Sequence, residues 1–240
     1  MRFFIEFLCS SIFKELVAWK EVNAFILELR GLNKFTADEL WVMRQAAYFS
    51  AFIHRKETRA DGSKYITHPL EVAKIVVFEL RVFDLETILS AIFHDNAENS
   101  GWPWGLIFII IEKLSTSKVP VFVFFLSKHF IRSVFRAYFY VMITLRELRV
   151  ILPKVADRIH NLRTLSHMSF SGQDRKLNET RKYFPSLIAI IMEDIQREEN
   201  KELAQNVENV EQLGIRCQKI FDDALASASD ELKRTWICFD

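Results

Sequence analysis

Only six glycines and five prolines are spread through 240 residues. Tight turns lean on residues that take up positive φ or pre-set a bend. A chain so poor in them reads as helices joined by short loops, the all-α class. No internal repeat, low-complexity linker or Gly-rich phosphate loop breaks that pattern. Residues 2–30 fit one or two amphipathic helices, broken at Gly31. Thr36 and Glu39 fit a capping box, and Phe35 and Leu40 stand where a hydrophobic staple would. A helix is expected to follow to about Lys56, with Leu40, Met43 and Ala47 on one face. The segment 59–64 is a turn. Pro69 suits the first helical position after His68, and Val72, Ile75, Val76 and Leu80 form that helix's buried stripe. Asp84 suits the N-cap of the next helix, with Leu85, Ile88, Leu89 and Ile92 inward. Later helices are expected over 105–114, 129–145, 147–166, 176–198 and 200–227. The run Val119 to Phe125 has the composition of a strand, but nothing nearby offers a partner strand, so it is read as buried helix.

The length suits one domain with a sizeable core. The 22 phenylalanines are scattered, which fits a bulky aromatic core better than a ligand box. The formal net charge is +1, but residues 113–163 carry ten Lys or Arg against Glu147 and Asp157. Residues 190–240 reverse this, with twelve acids against six bases. A basic middle suits either a polyanion such as a nucleotide or a solvated helix face. Cys9, Cys217 and Cys238 form neither a disulfide framework nor a zinc site, which fits a reducing, cytoplasmic compartment. Glu6, Lys14 and Glu15 interrupt the apolar start, so no signal peptide is expected. The longest uncharged stretch, Asn99 to Ile111, contains Gly101, Pro103 and Gly105. It is shorter than the roughly 20 residues of a spanning helix, so no membrane role is expected. Nothing beyond the local basic charge suggests a nucleic-acid partner.

The chemistry concentrates where an apolar helix ends in His94-Asp95-Asn96-Ala97-Glu98-Asn99. In a continued helix His94 and Glu98 would share one face, and Asp95 and Asn99 the next. A His beside an Asp at a helix end can serve one cation, given further ligands. His68, before Pro69, and Asp157, in Val155-Ala-Asp-Arg-Ile-His-Asn, are the candidates. Taken singly, a His before Pro is more often a loop histidine, and Asp157-Arg158 more often a surface ion pair. Two imidazoles with two carboxylates suit Mn²⁺ or a similar ion better than Mg²⁺. Glu98 is then placed to orient or deprotonate a water.

The order and spacing of these residues resemble the hydrolase domain of the RelA/SpoT homologues and the small alarmone hydrolases. The resemblance runs over about 40–190. It begins at Ala46-Ala-Tyr-Phe-Ser-Ala-Phe-Ile-His54 and continues through Arg59 and Gly62-Ser-Lys-Tyr-Ile-Thr-His68-Pro69. Ala91-Ile-Phe-His94-Asp95-Asn96-Ala-Glu98-Asn99-Ser resembles the family's LLHDxxEDT. Leu126-Ser-Lys128 resembles its LTK or LSK segment. Lys154-Val-Ala-Asp157-Arg158-Ile-His-Asn161-Leu-Arg163-Thr-Leu is very close to KLADRxHNxRTL, the most specific match. Glu179-Thr-Arg-Lys-Tyr183 resembles the closing ETxxxY.

The resemblance implies a compact helical bundle of the HD phosphohydrolase type. Its core would be residues 36–190, with a helical extension at 1–35 and an acidic helical segment at 191–240 packed on the core. It implies one Mn²⁺ or other divalent ion on His68, His94, Asp95 and Asp157, and Glu98 as the water-handling carboxylate. Lys56, Arg59, Asn161 and Tyr183 would lie near the nucleotide. Lys154 and Arg158 would either join them or pair with carboxylates that hold the helix. The implied reaction removes the 3′-pyrophosphate of ppGpp or pppGpp, giving GDP or GTP plus pyrophosphate. A metazoan branch of similar fold also accepts NADPH, so the motifs leave the substrate open between ppGpp, NADPH and another nucleotide. One departure stands at the chemistry: the family has Glu-Asp where this chain has Glu98-Asn99. An Asn cannot exchange a proton at neutral pH, which opens a further alternative, a catalytically impaired alarmone-binding module. The stretch after 190 is too short and too poor in Gly for a synthetase's mixed sheet. The acidic tail is expected to pack against the basic middle, within the chain or in a homodimer.

Overall fold

The computed structural model describes residues 18–98, 102–127 and 135–237. Expectations for residues 1–17, Asn99 and Lys128 lie outside the described residues. Among the described residues eleven α-helices follow in order: α1 (Trp19–Gly31), α2 (Ala37–Ile53), α3 (Thr67–Lys74), α4 (Leu85–Phe93), α5 (Trp104–Leu114), α6 (Val119–Leu126), α7 (Phe135–Leu145), α8 (Leu148–Arg163), α9 (Phe170–Asp194), α10 (Lys201–Gln205) and α11 (Leu213–Ile237). Among the described residues there is no strand, only two isolated bridges, Thr58 with Lys64 and Val82 with Val207. No helix among them is long and apolar enough to cross a membrane.

The helix starts follow the local chemistry. Thr36 accepts from the Glu39 amide at 3.2 Å, and Glu39 reaches back to the Thr36 amide at 2.8 Å, the reciprocal cap that fixes α2. Asp84 accepts from the Thr87 amide at 2.9 Å and caps α4. The run at 119–126 is helical, as its isolation from any partner strand required. Pro69 is the third residue of α3 rather than the first, so His68 sits inside the first turn. A helix leaves its first amides without intrahelical partners, and a proline costs nothing there. The first i→i−4 bond runs from the Leu70 amide to the Ile66 carbonyl, just past it. α3 then widens into a π-helical turn over Ile75–Glu79.

Several boundaries differ from the expectation: α2 ends at Ile53, α9 at Asp194 rather than 198, and α11 runs to Ile237 rather than 227. α9 begins at Phe170, six residues before 176, with Ser169 as the extended residue that precedes it and the Gln173 amide closing the first turn onto the Ser169 carbonyl at 2.9 Å. The expected helix 200–227 is broken at Asn206. There the chain pairs with the loop before α4: the Phe83 amide donates to the Asn206 carbonyl at 2.7 Å, and the Glu208 amide to the Arg81 carbonyl at 3.0 Å. Asn209, at φ 53°, supplies the left-handed step that restarts the chain toward α11.

α8 is the central helix. It packs against α3, α4, α6, α9 and α11, and every residue from Leu148 to Ile159 is buried. The sequence reads as an amphipathic helix, but here the charged side chains are also internal: Arg149, Lys154, Asp157 and Arg158 are all at most 7 % exposed. Buried charges persist only with partners. The Arg149 guanidinium lies 3.2 Å from Asp84 and 3.3 Å from Glu86. It thereby ties the start of α4 to the start of α8, the two helices whose far ends carry the chemistry. Arg158 reaches Thr180 and the Lys176 carbonyl and lies over the Phe184 ring, docking α9. The phenylalanines do form core: Phe25, Phe49, Phe93, Phe139, Phe184 and Phe221 are fully buried. Leu213, Cys217, Phe221, Ala224 and Ala228 of α11 enter the same cluster.

Candidate metal centre and adjoining cleft

α4 ends at Phe93, and His94 is its C-cap. From there the Asn96 amide bonds the Phe93 carbonyl and the Glu98 amide the Asp95 carbonyl, each three residues back. The helix is therefore not continued, and the face shared by His94 and Glu98 is replaced by tight turns. This change lets adjacent residues His94 and Asp95 point to one spot.

His94 Nδ1 lies 2.7 Å from the Ala91 carbonyl, which presents Nε2 inward. His94 Nε2 is 3.2 Å from His68 Nε2 and 3.2 Å from Asp95 Oδ2. His68 Nε2 is 3.5 Å from Asp95 Oδ2 and 3.3 Å from Asp157 Oδ1. His94 Nε2 is 3.8 Å from that Asp157 oxygen. A cation held about 2.1 Å from nitrogen and oxygen donors sets neighbouring donors about 3.0–3.5 Å apart, a spacing that His68, His94 and Asp95 meet. His68, His94 and Asp95 form a candidate metal-binding triad, and Asp157 Oδ1 stands beside its two imidazoles. The sequence expectation named all four.

The electrostatics fit as well. Burial pulls the His94 imidazole toward neutrality, but Asp95 and Asp157 overcome it and raise its pKa to about 9 without a metal. Burial also opposes ionisation of Asp95 and Asp157, yet His94 and His68 at the first, and Lys154 and the histidines at the second, hold both well below the usual carboxylate range. A metal ligand must be a neutral imidazole. Metal binding should therefore displace about one proton from His94 at pH 7.5. That release is full while His94 is charged and fades as pH rises through about 9. Calorimetric titration with Mn²⁺ in two buffers of different ionisation enthalpy measures it, and no release at pH 7.5 would contradict this charge state.

Groups around the cluster orient it. His68 Nδ1 lies 2.8 Å from His160 Nδ1. Burial, with the neighbouring charges of His68 and Arg59, lowers the His160 pKa to about 3. The ring is neutral and can accept the His68 Nδ1 proton, which leaves His68 Nε2 free to ligate. His160, to which the sequence reading gave no role, lies three residues beyond Asp157 on α8, and that position brings it to the back of His68. Lys154, buried, donates to Asp157 Oδ2 at 3.1 Å, so its ammonium faces the ligand. Asn161 Nδ2 donates to Asp157 Oδ1. Tyr65, to which the sequence reading gave no role, donates to Asp95 Oδ2 at 2.7 Å.

A cleft of about 300 Å³ opens beside the cluster, lined by residues including Arg59, Tyr65, Asn161, Thr164, His167 and Lys176. Arg59 Nη2 donates to Thr164 Oγ1 at 3.3 Å, which holds its guanidinium along the wall. Of the residues expected near a nucleotide, Arg59 and Asn161 line this cleft. Lys56 is exposed in the turn after α2, and Tyr183 stacks on Phe139, centroids 4.9 Å apart. Glu98 is half-buried in the turn after Asp95. His167 and Lys176 carry no motif signal; only the folding of α9 back along α8 brings them here.

No protein-family model matches the chain. Among curated proteins, it is 31% identical over 156 residues to the bifunctional (p)ppGpp synthase/hydrolase SpoT of Escherichia coli K12, covering 62% of this chain and 22% of that protein. It is 33% identical over 153 residues to a GTP pyrophosphokinase of Myxococcus xanthus, covering 59% of this chain and 19% of that protein. The chain is a relative of the RelA/SpoT homologues. It spans only about a fifth of these RelA/SpoT proteins, as those shares show. The fold is also that of a solved metazoan orthologue of SpoT that hydrolyses ppGpp and plays a role in starvation responses. That match has a TM-score of 0.53 at 19% identity, and covers 79% of this chain and 96% of the other. The all-α RelA/SpoT-type fold thus rests on both sequence and shape.

Proposed function

We propose that this chain hydrolyses the 3′-pyrophosphate of ppGpp and pppGpp, giving GDP or GTP and pyrophosphate, with one Mn²⁺ ion. The observation that carries the reading is the convergence of His68, His94, Asp95 and Asp157 beside a cleft whose walls include Arg59 and Lys176. Names of the sequence relatives support the substrate class: one is a guanosine-3′,5′-bis(diphosphate) 3′-pyrophosphohydrolase of Escherichia coli O157:H7, at 31% identity. A divalent ion on the four ligands would lower the pKa of a water and polarise a phosphoryl oxygen. The chain's own groups do the rest. Arg59 and Lys176 attract the polyphosphate, Asn161 and Thr164 offer polar contacts to the nucleoside, and Glu98 orients and deprotonates the attacking water. A cytoplasmic setting, where guanine nucleotides are made and used, suits this reading.

Pyrophosphate release from ppGpp by purified protein, with Mn²⁺ and with chelator, tests it. Metal-dependent release is expected. Faster turnover of NADPH or another nucleotide under the same conditions would keep the hydrolase chemistry and change the substrate. A second reading rests on Asn99: a module that binds the alarmone without turning it over. Nucleotide affinity with no release by the native chain would favour it.

A further inference from the structure

Tyr65 stands at the junction of metal cluster and cleft. Its hydroxyl donates to Asp95 Oδ2, the same oxygen that faces both imidazoles, and its ring lines the cleft. The ring is itself held. It stacks on His54, centroids 4.5 Å apart and 24° between planes. His54 is 2 % exposed and bridges Glu57, at 3.1 Å, and Asn96, at 3.2 Å. Asn96, fully buried, also accepts from Ser50 Oγ at 2.8 Å. A string of buried polar groups thus runs from α2 through the turn that carries Asp95 and back, by way of Tyr65, to the Asp95 carboxylate.

We propose that Tyr65 is a positioning residue: it fixes the rotamer of Asp95 as a metal ligand, and the His54–Asn96 bridge fixes Tyr65. The carboxylate has two oxygens and a free torsion, and a hydrogen bond to one oxygen selects which one the ion meets. Outer partners of this kind are worth about 10–100-fold in metal affinity. The inference rests on the metal site of the proposed hydrolase, but its primary readout is metal binding.

The test titrates Co²⁺ and Mn²⁺ into the unmodified chain, Tyr65→Phe and His54→Phe, following the visible absorption of Co²⁺ and the heat of Mn²⁺ binding. Tyr65→Phe keeps the ring and its stack, and is expected to weaken both metals at least about tenfold with an altered Co²⁺ spectrum. His54→Phe keeps a ring against Tyr65 but loses both bridges, and should shift affinity in the same direction by less. In the pyrophosphate assay, Tyr65→Phe should lower kcat at limiting Mn²⁺ and leave the KM for ppGpp within about twofold, recovering as Mn²⁺ is raised. Metal affinity of Tyr65→Phe within twofold of the unmodified chain overturns the proposal, as does a raised KM with unchanged metal binding, which would make Tyr65 a substrate contact. A native chain inactive on ppGpp, with the metal affinities moving as described, would sink the hydrolase reading and leave this one standing.

Discussion

His94→Ala is expected to lower kcat/KM for ppGpp by at least about 10³-fold at any accessible Mn²⁺ concentration. A catalytic ion contributes several kcal/mol of transition-state stabilisation, and about 1.4 kcal/mol is a factor of ten. The imidazole is one of only two nitrogen donors in the cluster, and both carboxylates lie within 4 Å of its Nε2. Its removal takes away a ligand and, in the metal-free state, the cation that balances Asp95 and Asp157. Those carboxylates keep Tyr65, Lys154 and Asn161 as partners, so the fold should survive. Circular dichroism and a melting curve, with His94→Gln as a variant of closer volume, separate the loss of chemistry from the loss of structure. A folded His94→Ala protein that retained more than a tenth of the native rate would remove the cluster from the reaction.

How far the sequence foretold this arrangement depends on the range of the interaction. The caps of α2 and α4 are set by residues three apart, and both were legible at Thr36 and Asp84. His68, His94, Asp95 and Asp157 were named together because they sit in local motifs whose order matched a known family, and the structure brings the first three into one cluster. What escaped was long-range. Tyr65 meets Asp95 across 30 positions and His160 meets His68 across 92. The burial of α8 on all sides depends on five other helices, so Arg158, which taken singly reads as half of a surface ion pair, is an internal strut, as is Arg149. The break at Asn206 is likewise imposed by pairing with residues 81–83, which no local propensity announces. Even at the metal site the local reading was incomplete: His94 and Glu98 are four apart, but the helix stops at Phe93.

Asn99→Asp is expected to raise kcat on ppGpp by about 10²–10⁴, the range that one well-placed acid or base contributes. In this hydrolysis the water oxygen bonds to the phosphorus that carries the ribose 3′ oxygen, and the bond from that phosphorus to the 3′ oxygen breaks. The leaving group is an alkoxide, a strong base, so a proton delivered to it as the bond lengthens lowers the barrier. In the proposed reaction Glu98 would take a proton from water and could not supply one to the leaving oxygen at the same moment. The residue beside it in the chain, Asn99, has an amide that donates hydrogen bonds but does not part with a proton at neutral pH. The family's Asp at this position can be protonated and then release its proton. Restoring it adds one carboxyl and leaves His68, His94, Asp95 and Asp157 unchanged, so metal affinity should move by less than about threefold while the rate rises. Single-turnover release of pyrophosphate at saturating Mn²⁺ reads the chemical step directly. A rise confined to KM, or a rate unchanged within twofold, would mean that proton delivery to the leaving oxygen does not depend on this position.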